Sequence, residues 1–185
     1  MVEPDSKIIK SWRKENDFEK VAKHPDVLEL ISNHAGFSNS KINSGYLIDK
    51  FDLVFGTFTG ISPNFIMEIA LPIYRKLGLR TGKKDKIIFD ESVNDVFVKV
   101  LCAVSANKKL EFKEFHQAQD GLLIISKIKS DFLSSEGNLT IELQQTDNGV
   151  IVNINAMVKG QLYDYGKCKR IVSKVLTDLK TIELK

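Results

Sequence analysis

The sequence predicts an α+β fold: an antiparallel sheet with a long C-terminal helix packed on one face, preceded by a mostly helical N-terminal region. Three observations predict it. Turn signals between Ile87 and Lys185 divide that half into one strand, one helix, four strands and a closing helix. The dipeptide Asn148-Gly149 sits between two runs that alternate apolar and polar residues. The last segment, Asp164–Leu184, keeps one apolar stripe at helical spacing.

In the N-terminal half, Ser6 or Asp5 is placed to cap a helix carrying Ile8, Ile9 and Trp12. Asp17 starts a second short helix with Phe18, Val21 and Ala22, which ends at His24-Pro25. Asp26–His34 follows with Val27, Leu28, Leu30 and Ile31, and Gly36 offers a C-terminal cap. The polar run Ser38–Gly45 reads as a loop. Leu47, Ile48, Phe51, Val54, Phe55 and Phe58 then fall at helical spacing, although Val54–Thr59 fits an extended segment as well. Ser62-Pro63 opens a further helix with Phe65, Ile66, Ile69, Ala70, Ile73 and Leu77 inward, and Gly78 stops it. Pro72 inside that helix removes a hydrogen bond to Glu68 and predicts a bend.

In the C-terminal half, Lys86–Asp90 is a short first strand, and Ser92 caps a helix with Val93, Phe97, Val100, Leu101 and Val104 inward. The loop Gln119-Asp120-Gly121 predicts a three-residue hairpin pairing Phe112 with Ile128, His116 with Ile124 and Ala118 with Leu122. A two-residue loop at Asn148-Gly149 predicts Leu143 opposite Ile154 and Ile141 opposite Ala156, with Glu142 opposite Asn155 on the polar face. Cys168, Ile171, Val172, Val175, Leu179 and Ile182 line the closing helix. The expected organisation is therefore a mostly helical region over 1–84 and a β-α-β4-α unit over 85–185.

That order, over roughly residues 86–185, resembles the helix-grip arrangement and is similar to START and Bet v 1 type domains and the half-repeat of TATA-box-binding (TBP-like) proteins. The likeness is one of topology, and it implies a ligand held between the sheet and the closing helix.

Composition narrows the function classes. With 43% hydrophobic and 28% charged residues and a net charge of +3, the chain makes no strong demand for nucleic acid or a charged surface. Residues 1–84 hold 13 basic and 10 acidic residues, whereas 85–185 balance. Two cysteines, Cys102 and Cys168, make no disulfide framework, and with three scattered histidines they make no metal spacing. No metal or cofactor is expected. The acidic N-terminus has no apolar core of a signal peptide, and Tyr46–Leu79 is too interrupted to span a membrane, so the expected location is the cytoplasm.

No sequence motif of a catalytic constellation is present. Gly78–Lys84 has only a faint phosphate-loop pattern, and since it ends a helix it reads as a linker. Cys168 sits in a first helical turn among Lys167, Lys169 and Arg170, but its place on the apolar stripe makes it a core residue. The leading expectation is thus a binding module rather than an enzyme. It would hold a small apolar or amphipathic ligand between sheet and closing helix, oriented by Glu114, His116 and Ser126, with the Ser62–Leu77 helix as a lid. A second expectation is a protein-interaction or homo-oligomer interface at Phe51, Phe55, Phe58 and Phe65, within 51–73. A third is weak nucleic-acid binding by the basic cluster Arg75, Lys76, Arg80, Lys83, Lys84 and Lys86, joined by Lys167, Lys169, Arg170 and Lys174.

Overall fold

Residues 11–35, 82–118, 121–158 and 164–184 are described by a computed structural model of the chain. The expected helices beginning at Ser6 and at Ser62, the segment 47–58 and the linker up to Thr81 lie outside them. The N-terminal elements are a 3-10 turn at Ser11–Lys14, helix α1 (Phe18–Lys23) and helix α2 (Pro25–His34). Asp17 caps α1 by accepting the N–H groups of Glu19 and Lys20. His24 is extended, as a residue before proline must be, and its Nδ1 accepts the Asp26 N–H at 3.3 Å. His24 is thereby a helix cap.

The sheet is antiparallel throughout, with five strands: β1 (Gly82–Phe89), β2 (Leu110–Ala118), β3 (Gly121–Ile128), β4 (Gly137–Thr146) and β5 (Gly149–Val158). Their spatial order is β1-β5-β4-β3-β2, so β1 and β2 are the edges. Helix α3 (Val93–Ala106) connects these two edges, and helix α4 (Lys167–Thr181) closes the described chain. The α+β architecture with a C-terminal helix on one face is as the sequence predicts.

Three local readings are corrected. β1 begins at Gly82, four residues before the expected Lys86, because edge pairing with β5 accommodates a charged stretch that faces water. In the β2–β3 hairpin Ala118 pairs with Gly121, so only Gln119 and Asp120 separate the paired ends. Gly121 belongs to the ladder, where a Cβ would run into the Leu143 carbonyl oxygen. His116 consequently pairs with Leu123, not Ile124, and a bulge between Phe112 and Glu114 shifts the register once more, so that Ile128 faces Leu110 and Phe112 faces Ser126 instead of the expected Ile128.

In the β4–β5 hairpin Thr146 pairs with Gly149, which puts Ile141 opposite Ile154 and Leu143 opposite Val152. The loop is Asp147-Asn148, one residue before the expected dipeptide. Neither residue has positive φ; Gly149 does, at 129°, so one glycine replaces the two positive-φ positions of a mirror-image turn. The slip of two residues keeps every side chain on its expected face.

Helix α3 lies in the middle of the molecule. Val96, Phe97, Val98, Val100, Leu101, Cys102, Ala103 and Val104 are all buried, more than one inward stripe requires. A helix apolar all round needs cover on both sides. The sheet supplies one side and the N-terminal elements the other. Phe97 meets Phe115 of β2 edge-on at 5.5 Å and Phe18 of α1 edge-on at 5.2 Å. Helix α4 covers the β1–β5 side of the same sheet face with Cys168, Ile171, Val172, Val175 and Leu179 buried. Trp12, Val21, Val27 and Ile31 belong to the same apolar cluster as these helices and the strands. Among the described residues, no helix is long and apolar enough to cross a membrane.

Candidate functional site

The register sorts the sheet into two unlike faces. On the helix side, Phe115, Ile124, Ile141 and Ile154 form one cross-strand row, and Leu122, Leu143, Val152 and Ile87 lie within the next. Ile124, Ile141, Leu143 and Val152 are fully buried there. These side chains face the helices across the layer expected to hold a ligand.

On the other face, His116, Leu123, Glu142, Asn153 and Lys86 form one row, and Glu114, Ile125, Thr140, Asn155 and Lys84 the row beside it. Lys84, Lys86, Leu123, Thr140, Glu142, Asn153 and Asn155, with Asp85 and Ile154, line a cleft of about 450 Å³. Leu123 is buried and gives the cleft an apolar patch. The Asn153 amide donates to Glu142 at 3.3 Å, and the Thr140 hydroxyl donates to the Asn155 carbonyl at 3.2 Å. Those two bonds orient the polar groups between the β1 lysines and Leu123.

The expected trio is therefore split. Glu114 and His116 share the face that none of the described helices covers, with Glu114 Oε1 3.5 Å from His116 Nε2, and His116 is buried. Ser126 points to the helix side opposite Leu139, where its buried Oγ has no hydrogen-bond partner among the described residues. The one-residue shift in the hairpin moved His116 and Glu114 to the other face. His116 stands on the edge strand opposite β1, so about four strand spacings, roughly 19 Å, separate it from Lys86. A small ligand in the cleft meets the lysines and Leu123 before it meets the histidine.

Of the basic cluster, Lys83 pairs with Asp85 at 3.6 Å and Lys84 and Lys86 line the cleft, while Arg75, Lys76 and Arg80 lie outside the described residues. Phe51, Phe55, Phe58 and Phe65 also lie outside them. Thr140, Glu142, Asn153 and Asn155 were not singled out from sequence. Their alternation along β4 and β5 was the available signal, and it is also the pattern of an ordinary solvated face.

Both cysteines are buried and neither forms a disulfide. Burial pushes the Cys102 thiol up to about 12. Burial, followed by a hydrogen bond to Asp164 and the charge of that carboxylate, pushes Cys168 up to about 12 despite the neighbouring cations. Protonated thiols are poor nucleophiles. Among the described residues no group of histidine, cysteine and carboxylate side chains is arranged to hold a metal.

The fold and cleft together define a class, a five-stranded antiparallel sheet covered by helices on one face and carrying an amphipathic cleft on the other. No protein-family model matches the chain, and no curated protein is significantly similar to it.

Proposed function

We propose that the chain is a helix-grip-like, non-enzymatic binding module that holds a small amphipathic ligand on the sheet face opposite its described helices. The cleft of about 450 Å³ is the observation that carries this reading. It falls within the usual volume range of small-molecule sites, and it combines an apolar patch with a few oriented polar groups. The ammonium groups of Lys84 and Lys86 offer pairing to an anionic group on the ligand, and the carboxylates of Asp85 and Glu142 in the same cleft offer pairing to a cationic one. Asn153, Asn155 and Thr140 offer hydrogen bonds along its body, and Leu123 receives an apolar end. Such binding requires contact and charge pairing only, with no bond made or broken. The two buried, unoxidised thiols support a reducing, cytoplasmic setting.

Native mass spectrometry of the purified chain, set against its denatured mass, tests the reading. Extra mass that is lost on denaturation, and that is absent from a Lys84→Glu/Lys86→Glu variant, is the expected result. A native mass equal to the denatured one, or an adduct that survives both substitutions, overturns it. Both lysines are exposed on an edge strand, so the variant retains the core.

A further inference from the structure

One end of the sheet gathers three connections. β2 starts at Leu110 opposite Ile128, and Ile128, the last residue of β3, faces Gly137 at the start of β4. Gly137 in turn faces Val158 at the end of β5. The α3–β2 turn, the β3–β4 loop and the start of α4 therefore lie together. Three of the four exposed large apolar side chains among the described residues are here, Ile88 being at the opposite end of the sheet. Phe132 is 101% exposed, Leu133 55% and Tyr165 51%. A lone exposed apolar residue is ordinary, but two adjacent ones on a fixed loop, with Tyr165 at the same end, form a patch.

The loop that carries Phe132 is held in place. The Asp131 carboxylate accepts the Leu133 N–H at 3.2 Å, the Ser134 N–H at 2.9 Å and the Ser134 hydroxyl at 2.8 Å. Its backbone N–H donates to the Ser134 carbonyl at 2.9 Å. From below, Lys167 donates to the carbonyls of Ser134 at 3.4 Å and Ser135 at 3.1 Å, with Asp131 Oδ2 3.5 Å away. Lys167 is itself only 1% exposed. A buried cation thus fixes the backbone of a loop whose tip makes no contact, so the tip is presented and not merely frayed.

The cations around the tip outnumber the carboxylates. Lys108, Lys109, Lys129, Lys169 and Arg170 are all exposed at this end. The neighbouring acids are already engaged: Glu111 with Lys113, Glu136 with Lys127, Asp131 with Lys167, and Asp164 with the N–H groups of Gly166 and Cys168. Among the described residues, none of the four lysines forms an ion pair. A modest net charge for the whole chain therefore conceals a basic end.

We propose that this end docks on an anionic phospholipid surface. Phe132 and Leu133 enter the headgroup region, and the surrounding cations meet the lipid phosphates. An isolated apolar wedge ringed by cations matches a bilayer interface, where aromatic rings and basic side chains both gain. A stable protein interface needs a broader complementary patch, about 800 Å² on each partner, than two tip residues supply.

Vesicle co-sedimentation at low salt tests the assignment, with phosphatidylcholine vesicles compared with vesicles of equal parts phosphatidylcholine and phosphatidylserine. The intact chain is expected to sediment with the mixed vesicles only. A Phe132→Ser/Leu133→Ser variant, at two exposed positions, should lose at least about tenfold in partitioning. Replacing Lys108, Lys109 and Lys129 by alanine should cost about fivefold for each charge. F132W adds a second readout: its emission should shift to the blue on mixed vesicles, against the constant signal of the buried Trp12, the single native tryptophan. Failure to bind mixed vesicles, or binding indifferent to the tip substitutions, overturns the proposal. Loss of a protein partner from the tip variant without any vesicle binding overturns it in favour of a protein surface.

Discussion

The Ser126 hydroxyl is buried on the helix side of the sheet with no partner among the described residues, and it gains nothing from being there. An unsatisfied buried hydroxyl costs about 1–3 kcal/mol, so Ser126→Ala should raise the unfolding free energy by about 1 kcal/mol in urea titration. A decrease would mean that the hydroxyl has a partner after all. Asn94 shows the opposite case. Its buried amide donates to the carbonyls of Trp12 at 3.0 Å, Arg13 at 3.2 Å and Glu15 at 2.8 Å. Three carbonyl oxygens around one atom identify that atom as nitrogen. Asn94→Asp turns three attractions into repulsions and should cost at least about 1–3 kcal/mol in the same titration. From sequence Asn94 was only a polar residue in a helix, since nothing local connects it to a turn some eighty residues earlier.

Elements end where their caps allow, and two carboxylates in the connections between elements are also pH-sensitive. Ser92 and Asp95 exchange hydrogen bonds at the start of α3, and Asp95 receives Arg13 at 2.8 Å. Asp131, in the β3–β4 loop, is held below its ordinary value of 3.8, chiefly by the Ser134 hydroxyl. Asp164 precedes α4. Burial works to raise its pKa, but hydrogen bonds from Cys168 and Gly166 outweigh it and hold the carboxyl low. A folded-state pKa below the unfolded one contributes stability above the unfolded value, and that stability is lost as pH falls through the folded value. Urea midpoints should therefore drop below about pH 4, and a D131N/D164N variant should show a flatter acid limb between about pH 5 and 3. Identical limbs would remove these two carboxylates from the account. The helix caps at Asp17 and Ser92 were legible from sequence because a cap is local. The Asp147-Asn148 loop was not, because the Gly149 that decides it also lies close against Phe89 of a distant strand.

For the molecule as a whole, the question is whether the N-terminal elements share the stability of the sheet. Trp12 is buried in the same cluster as Phe97, Ile141 and Val172, and Arg13 Nη2 also donates to the Leu184 carbonyl at 3.2 Å. Unfolding followed by Trp12 fluorescence should coincide with unfolding followed by far-ultraviolet circular dichroism. Two separated transitions would show that residues 11–35 melt on their own. By itself the sequence determined the order of strands and helices in the C-terminal half, the apolar face of β4, β5 and α4, and the absence of any local catalytic or metal motif. Periodicity, caps and turn residues act over a few positions, so they are written where they act. Tertiary structure alone decided that β1 lies beside β5 and β3 beside β4, the one- and two-residue shifts in the hairpins, the face on which His116 stands, and the basic end around Phe132. Each of these depends on residues far apart in sequence meeting across the sheet. A shift of a single residue, too small for turn chemistry to specify, is enough to carry a side chain from one face of the sheet to the other.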